Sequence, residues 1–558
     1  MYLKITRRKY KGKIIEHAKI VESYKDNQVS RQRIILSLGT IKNNEDRIHY
    51  QGILDSMKKG NENFIKIGEL KAVNAKQFGI TYTTNKLLEK YKIGEILKTE
   101  LSDNKAKFNI YEIIKALMIN RLVKPSSELS AIEWINEDYS EEMNVQLHQV
   151  YRSLDYLIPK KDIIEKRIFE SLKIMLKLNL DFAHYDLTST YFEGCNCSIA
   201  FYGYSRDHRK DRKQVVIGLV MIDGIPIHHE VYKGNTVDKS TLEGMIKNVK
   251  EKFGLREIAI VADRGIITEN NLDLLENQEY QYILGVQRRN NKIPEEHLIK
   301  EIESEDKHFA KEVHKEIIKK EGREFTRRYI LCLDNQTKKE RLEDLKEIKE
   351  DKEEKLDELL KKYKASRISK KGKKMTKESL INQAFKILGK NKRLFHVELA
   401  EDGFKYTFNK KNYEYEEKIA GKFLLITNTD KSPEQIMRSY KELQTVENAF
   451  DESKNFLYVR PISHWKEHRV RAHIFVCYLS FLIESIIERF SKESARVTLR
   501  ELDRIKLVEI KVKNKIEKKL TMKPLENASN IFKELKIKNP LYSISDTHSI
   551  IHNYEYFY

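Results

Sequence analysis

Cysteine is nearly absent, with four in 558 residues, too few for a disulfide framework in a chain this long. Cys195 and Cys197 form a Cys-x-Cys without the second ligand pair that a structural zinc site requires, so a reducing compartment is expected. Eight prolines and 21 glycines exclude a linker-rich or fibrous chain. No apolar stretch follows the basic start MYLKITRRKYKGK, and export is therefore not expected. Long hydrophobic runs are also missing. The most apolar segment, 474–487, contains Glu484 and is shorter than the roughly 20 residues of a membrane span, which makes it a buried helix. Neither a Walker-type phosphate loop nor a Gly-rich dinucleotide fingerprint occurs, so no nucleotide cofactor is expected.

What is abundant is positive charge. Lys and Arg number 105 against 85 Asp and Glu, a net charge of +20, and the pI of about 9.3 points to a polyanionic partner, nucleic acid before membrane. Hydrophobic residues at 40%, with 29 Tyr and 22 Phe, supply enough apolar area for real cores. At about 150 residues per domain the length suggests three or four units.

Short alternating runs such as HAKIVESY and RQRIILSLG mark residues 1–75 as a small β unit. Residues 76–178 change to helical spacing. There Lys124-Pro125 separates two helices, and Ser126 or Ser127 can cap the second, so a helix-turn-helix DNA-binding unit is one reading and an ordinary helix corner the other. Residues 179–290 give the order β-β-β-α-β-α-β, with Asp223-Gly224 as a hairpin turn between the second and third strands. That order matches the first half of an α/β, ribonuclease-H-like core, a mixed sheet covered by helices. The charged segment 291–415 reads as an insertion. Within it, Leu342, Leu345, Leu356 and Leu359 fit a helical seam that Lys349 and Lys352 interrupt. Order returns over 416–500 as the second half of the core, with one strand and helices over 432–455 and 465–490, and 501–558 is a C-terminal extension.

Alternation puts His184, Asp186 and Thr188 on one strand face. The apolar run Ile258 to Ala262 reads as a buried parallel strand ending in Asp263, at the edge where ligands collect in such sheets. If the first and fourth strands are neighbours, the two carboxylates converge, and a cation between them, Mg²⁺ or Mn²⁺, relieves their repulsion. A third acid is expected from a later helix. Tyr440, Glu447 and Lys454 are seven apart and share a helix face, which favours Glu447 over Glu442 and Glu452. Asp238 rivals Asp263, but its place before Ser240-Thr241 suits a helix cap. His228 and His229 are adjacent on a strand, so they are expected to face opposite ways and not to share a metal.

The segments YDLTSTYFEG, YGYSRDHRKDRKQVVIGL, HHEVYKGNTVDKSTL, VADRGI and YKELQTVENAFDESKNFLYVRPISHW resemble those of insertion-sequence DDE transposases. The branch resembled carries a Tyr-x2-Arg-x3-Glu-x6-Lys signature and a nuclease fold interrupted before the glutamate. The resemblance spans most of residues 1–500 and implies Asp186, Asp263 and Glu447 as catalytic and metal-binding residues. Tyr440 and Lys454 fit the signature spacing, while Leu443 stands where the signature has Arg.

Two divalent ions about 4 Å apart can activate a water or 3′-hydroxyl and stabilise the leaving oxygen, so an Asp-Asp-Glu set suffices without a nucleophilic side chain. The expected activity is metal-dependent cleavage at terminal inverted repeats, followed by attack of the 3′-hydroxyl on target DNA. Relatives imply a hairpin route for some members. The loop YSRDHRKDRKQ places Arg206, His208, Arg209, Lys210, Arg212 and Lys213 beside the active face, where they can neutralise phosphates. Tyr440 and Lys454 are further DNA contacts, and core packing is expected for Trp465. The partner expected is double-stranded DNA, both inverted repeats and target. Pairing two ends calls for a dimer on DNA, in the cytoplasm of a prokaryote beside its nucleoid. A structure-specific Mg²⁺ nuclease and a catalytically decayed repressor are the alternatives.

Overall fold

A computed structural model describes residues 1–10, 13–26, 29–58, 70–102, 106–193, 196–255, 257–286, 296–302, 304–320, 322–368, 375–401, 403–455, 457, 459–512 and 515–540. Contacts divide the chain into two units, one of residues 1–76, 505–523 and 540–558, the other of 77–504 and 524–539.

In the first unit, β1 (Tyr2–Tyr10), β2 (Lys13–Asp26) and β3 (Val29–Ile41) form an antiparallel meander. The helix Asn44–Lys58 packs on it, and Ala18, Ile20, Val21 and Leu54 are buried. The fourth strand, β4 (Leu70–Gln77), belongs to a separate three-stranded sheet of this unit.

The second unit is built on an eight-stranded sheet. Its central strands are β5 (Phe182–Tyr191), β6 (Gln214–Ile222), β7 (Ile225–Lys233), β8 (Ala259–Ala262) and β9 (Gln281–Gly285). Hairpins join β5, β6 and β7, which are antiparallel. Asp223 and Gly224 both take positive φ, 52° and 75°, as a two-residue hairpin turn demands. Crossover connections then place β8 parallel to β5 and β9 parallel to β8. The local order β7-β6-β5-β8-β9 fits a ribonuclease-H-like core. Every residue of β6 and β8 is buried, as strands covered on both faces must be.

The sheet continues through β10 (His308–Lys320) and β11 (Arg323–Asp334), with the order β10-β11-β14-β9. The segment 291–415 is therefore not one insertion. Its first part supplies two sheet strands, of which β10 is the edge, and Lys311, Lys315 and Lys319 along it suit an edge that must not pair further. What is inserted runs from the helix Asn335–Ile368 through Lys377–Leu388, β12 (Phe395–Ala400), β13 (Gly403–Phe408) and Lys410–Lys418. This segment has a core of its own around Leu345, Leu356, Leu359, Tyr363 and Leu380. The chain then re-enters the sheet as β14 (Lys422–Thr427), between β11 and β9.

The helices of 79–175 belong to the second unit. Ile110–Val123 is buried along most of its length, and Ser127 caps Glu128–Glu137 through the Ser130 N–H. The exposed positions of that second helix include Leu129, Glu133 and Glu137 and no Lys or Arg. The helix Glu467–Phe490 is, among the described residues, the one long and apolar enough to cross a membrane. Its apolar window is 94% buried inside the protein, as in a core helix. The helical stretch expected over 432–455 is two helices, Pro433–Lys441 and Leu443–Asn455, broken at Glu442. The C-terminal segment is likewise no single extension. β15 (Lys506–Val512) and β16 (Lys515–Thr521) join β4 in a three-stranded sheet of the first unit, whereas the helix Glu526–Glu534 belongs to the second.

Candidate active site

The parallel register of β5 and β8 pairs Tyr185 with Ala262. The next residue on each side is an acid, Asp186 and Asp263, so both carboxylates stand at one level of the sheet. The helix Leu443–Asn455 packs on β5 by burying Leu443, Val446 and Phe450. This leaves Glu447 at the rim of a cleft of about 400 Å³ that Asp186 and Asp263 also line. Burial pushes the Asp186 carboxyl up to about 7. The Leu187 N–H and Arg206 oppose that rise, and the charges of Glu447 and Asp263 add to it. The three acids are thus close enough to feel one another. A half-buried carboxyl that resists ionisation among like charges fits oxygen ligation of a divalent cation.

Tyr440 orients the second acid. Its hydroxyl donates to Asp263 Oδ1 at 2.9 Å, its ring stacks on Phe423, and burial together with the Asp263 charge raises its pKa far above the ordinary value. The hydroxyl occupies space that a Cβ at Gly285 would fill. His184, two residues before Asp186 on the same strand face, donates from Nε2 to the Ser439 carbonyl at 2.9 Å and so ties β5 to the helix that carries Tyr440. Lys454 lies in the last turn of Leu443–Asn455, with its side chain outside the described residues.

The basic loop is a built structure. Ser189 Oγ accepts from the Arg206 N–H, Ser205 Oγ accepts from the Arg209 N–H, and Arg460 donates to Asp207 at 2.7 Å. Arg206 donates to Asp238 at 2.6 Å, so the Asp238 side chain holds an arginine and does not cap a helix as expected. Arg209 pairs with Asp211 and lies over the Tyr191 ring, and Arg212 is beside Glu193 and Asp211. His208 takes a φ of 57° and is exposed, as is Lys210, while Lys213 is half-buried. Trp465 is 74% exposed, contrary to the core role expected of it.

His228 and His229 also depart from expectation, because both Nδ1 atoms reach Glu165, each at 2.8 Å. A register shift between Val220 and Met221 adjoins them, and a carboxylate has two oxygens to share. Lys161 and Lys252 contact the same carboxylate, which makes the cluster an ion network. A second buried cluster, Glu128 with His464 and His473, has metal-ligand spacing. Arg121 Nη2 stands 2.7 Å from Glu128 and 3.3 Å from His473 Nδ1, so a guanidinium already fills the cation's place.

Asp334, Thr337, Gly421, Phe423, Lys441 and Gln444 also line the cleft, and neither motif nor spacing singles them out in the sequence. The continuous apolar run that ends β11, YILCLD, is the one signal that points to Asp334.

Residues 3–69 match the family model described as IS1634 family transposase, N-terminal domain. Residues 188–483, more than half of the chain, match the transposase DDE domain. No curated protein matches. Among solved structures, the chain is similar to a piggyBac transposase in a synaptic complex with hairpin DNA. The TM-score is 0.33 at 10% identity, over 77% of this chain and 82% of that one.

Proposed function

The chain belongs to the DDE transposase family and is an insertion-sequence DNA transposase, and from that premise we propose that Asp186, Asp263 and Glu447 together carry out its phosphodiester chemistry. The observation that carries this reading is the parallel β5–β8 register, which sets Asp186 beside Asp263 at the cleft that Glu447 lines. The three carboxylates are the ligand set for two Mg²⁺ or Mn²⁺ ions. When bound, such ions supply charge neutralisation at the attacking and leaving oxygens.

The residues of the chain do the rest. Tyr440 fixes one Asp263 oxygen and leaves the other for a cation. Arg206, held by Asp238 and felt electrostatically by Asp186, stands ready for a phosphate of the same strand, and the exposed His208 and Lys210 extend that path. Arg209 and Arg212 add to it when DNA displaces Asp211 and Glu193, and Lys213 extends it. Water attacks phosphorus at the element end, the bond from phosphorus to the 3′ oxygen breaks, and that oxygen takes the proton. The resulting 3′-hydroxyl attacks target DNA in a second displacement of the same kind. Tyr440, Glu447 and Lys454 keep the spacing of the Tyr-x2-Arg-x3-Glu-x6-Lys branch, with Leu443 as a buried departure. The protein acts as a dimer on its two inverted repeats, beside the nucleoid, without a nucleotide cofactor.

The test incubates the protein with labelled DNA carrying the inverted repeats that flank its own gene, in Mg²⁺ or EDTA. Nicks at the repeat ends and joined products are expected for the wild type and neither for Asp186→Asn, Asp263→Asn or Glu447→Gln. Cleavage that survives all three substitutions would overturn the assignment. Nicks never followed by joining would reduce the protein to a nuclease.

A further inference from the structure

Among the described residues, the cleft is lined by four acids, Asp186, Asp263, Asp334 and Glu447, and by a single basic residue, Lys441. Asp334 ends β11 and Lys441 ends the helix Pro433–Lys441, 107 residues apart, yet the Lys441 ammonium donates to the Asp334 carboxylate. It also donates to His308 Nδ1 at 2.8 Å, and that nitrogen lies 3.4 Å from Asp334 Oδ2. The Lys441 side chain is about a third exposed. The ion pair holds the Asp334 carboxyl below its ordinary range against the effect of burial.

A DNA strand entering this cleft brings more negative charge to a place already rich in it. A triad with two divalent ions compensates the scissile phosphate, but it leaves the charge of Asp334 in the same cleft to be offset. We propose that Lys441 is the cation that contacts the phosphate next to the scissile one, and that Asp334 is its positioning residue, holding the ammonium at the cleft wall until a phosphate takes it over. The inference rests on the triad reading for the location of the scissile bond. A lysine suits the role because its ammonium is a point charge on a flexible stem, able to swing between two anions. Asp334 and His308 both come from the β10–β11 hairpin, so the strands that lead to the insertion set the position of this cation.

Equilibrium binding to a duplex ending in the inverted repeat, measured in EDTA from 50 to 300 mM salt, separates the proposal from a purely structural ion pair. Because this assay needs neither metal nor cleavage, its outcome is independent of whether the triad assignment survives. Lys441→Met is expected to weaken binding roughly tenfold and to lower the salt slope by about 0.9, the value for one phosphate, whereas Lys441→Arg keeps both. Asp334→Asn is expected to tighten binding, because it frees the ammonium, and that gain should vanish in the Lys441→Met background. A structural pair predicts that both single variants lose stability and that the salt slope stays at the wild-type value. An unchanged slope in Lys441→Met, or a gain from Asp334→Asn that persists without Lys441, would overturn the proposal.

Discussion

Replacing Asp186 by Asn should stabilise the metal-free protein at neutral and alkaline pH. The Asp186 carboxyl stands at about 7 where 3.8 is ordinary, chiefly because of burial. The folded state therefore binds this proton more tightly than the unfolded chain does. Such a contribution is fully present below the ordinary value and is lost as pH rises through 7. At about 1.36 kcal/mol per unit, a shift of roughly three units removes about 4 kcal/mol once the group is ionised. The carboxyl keeps some solvent contact, so a range of about 2–4 kcal/mol is the working figure. Asn fills nearly the same space without charge and escapes the loss. Guanidinium denaturation in EDTA from pH 4 to pH 8 should give a difference between the two proteins that is smallest at pH 4 and grows in favour of the variant until about pH 7. Mg²⁺ should then narrow that gap, because only the wild type gains from binding, by about 2.7 kcal/mol at a hundred times its Kd. A difference between the two proteins that does not change with pH would refute the placement of Asp186 in a shared, desolvated acidic site.

Tyr440→Phe keeps the stack on Phe423 but removes the hydrogen bond to Asp263. A charge-assisted bond of about 1.5–3 kcal/mol translates into a single-turnover cleavage rate lower by about 10- to 100-fold, with DNA affinity retained. Gly285→Ala should reproduce that defect by pushing the Tyr440 hydroxyl aside, and it should add little in the Tyr440→Phe background. Glu128→Ala should cost about 3–5 kcal/mol in denaturation experiments, since it strands the buried Arg121 guanidinium. Although burial favours the protonated form, His473 and Arg121 hold the Glu128 carboxyl well below its ordinary value. Its contribution is therefore present above pH 4.5 and lost on acidification, a loss that the acid limb of the wild-type stability profile should contain and that of Glu128→Gln should lack.

Elements whose pattern is set by their own residues are legible in the sequence. The alternation of β5, the continuous apolar run of β8 and the Asp-Gly turn each follow from local rules, while the β5–β8 adjacency that brings Asp186 and Asp263 together is a condition taken from the expected fold. Elements whose state depends on a distant partner are not. β10 is charged because it is an edge, and its lysines carry the same pattern as a solvated insertion, since only the pairing with β11, and of β11 with β14, makes it a sheet strand. The break at Glu442 leaves no proline or glycine in the sequence, and the structure places it where His184 and Glu442 approach, at 3.5 Å. Trp465 is exposed because the residues around it are tied down, His464 to Glu128 and Glu467 to Ser198, and no hydropathy window records such tethers.

The placement of the insertion follows from the same sheet. β11 and β14 are antiparallel neighbours whose register pairs Leu333 with Lys422, so the chain leaves and re-enters the sheet at adjacent points. A segment of any length and its own core can be accommodated there without disturbing a ladder hydrogen bond, since the closure cost grows only slowly with loop length. Those points also lie at the cleft, which Asp334, Thr337 and Gly421 line. The Gly421 φ of 68° and the room left by its missing side chain let the returning strand pass against the start of the helix Asn335–Ile368. The root of the insertion is therefore part of the active-site wall. A substitution that moves it should reach the chemistry through Asp334 and Lys441, while the triad strands β5 and β8, three and two strands removed from β14, keep their register.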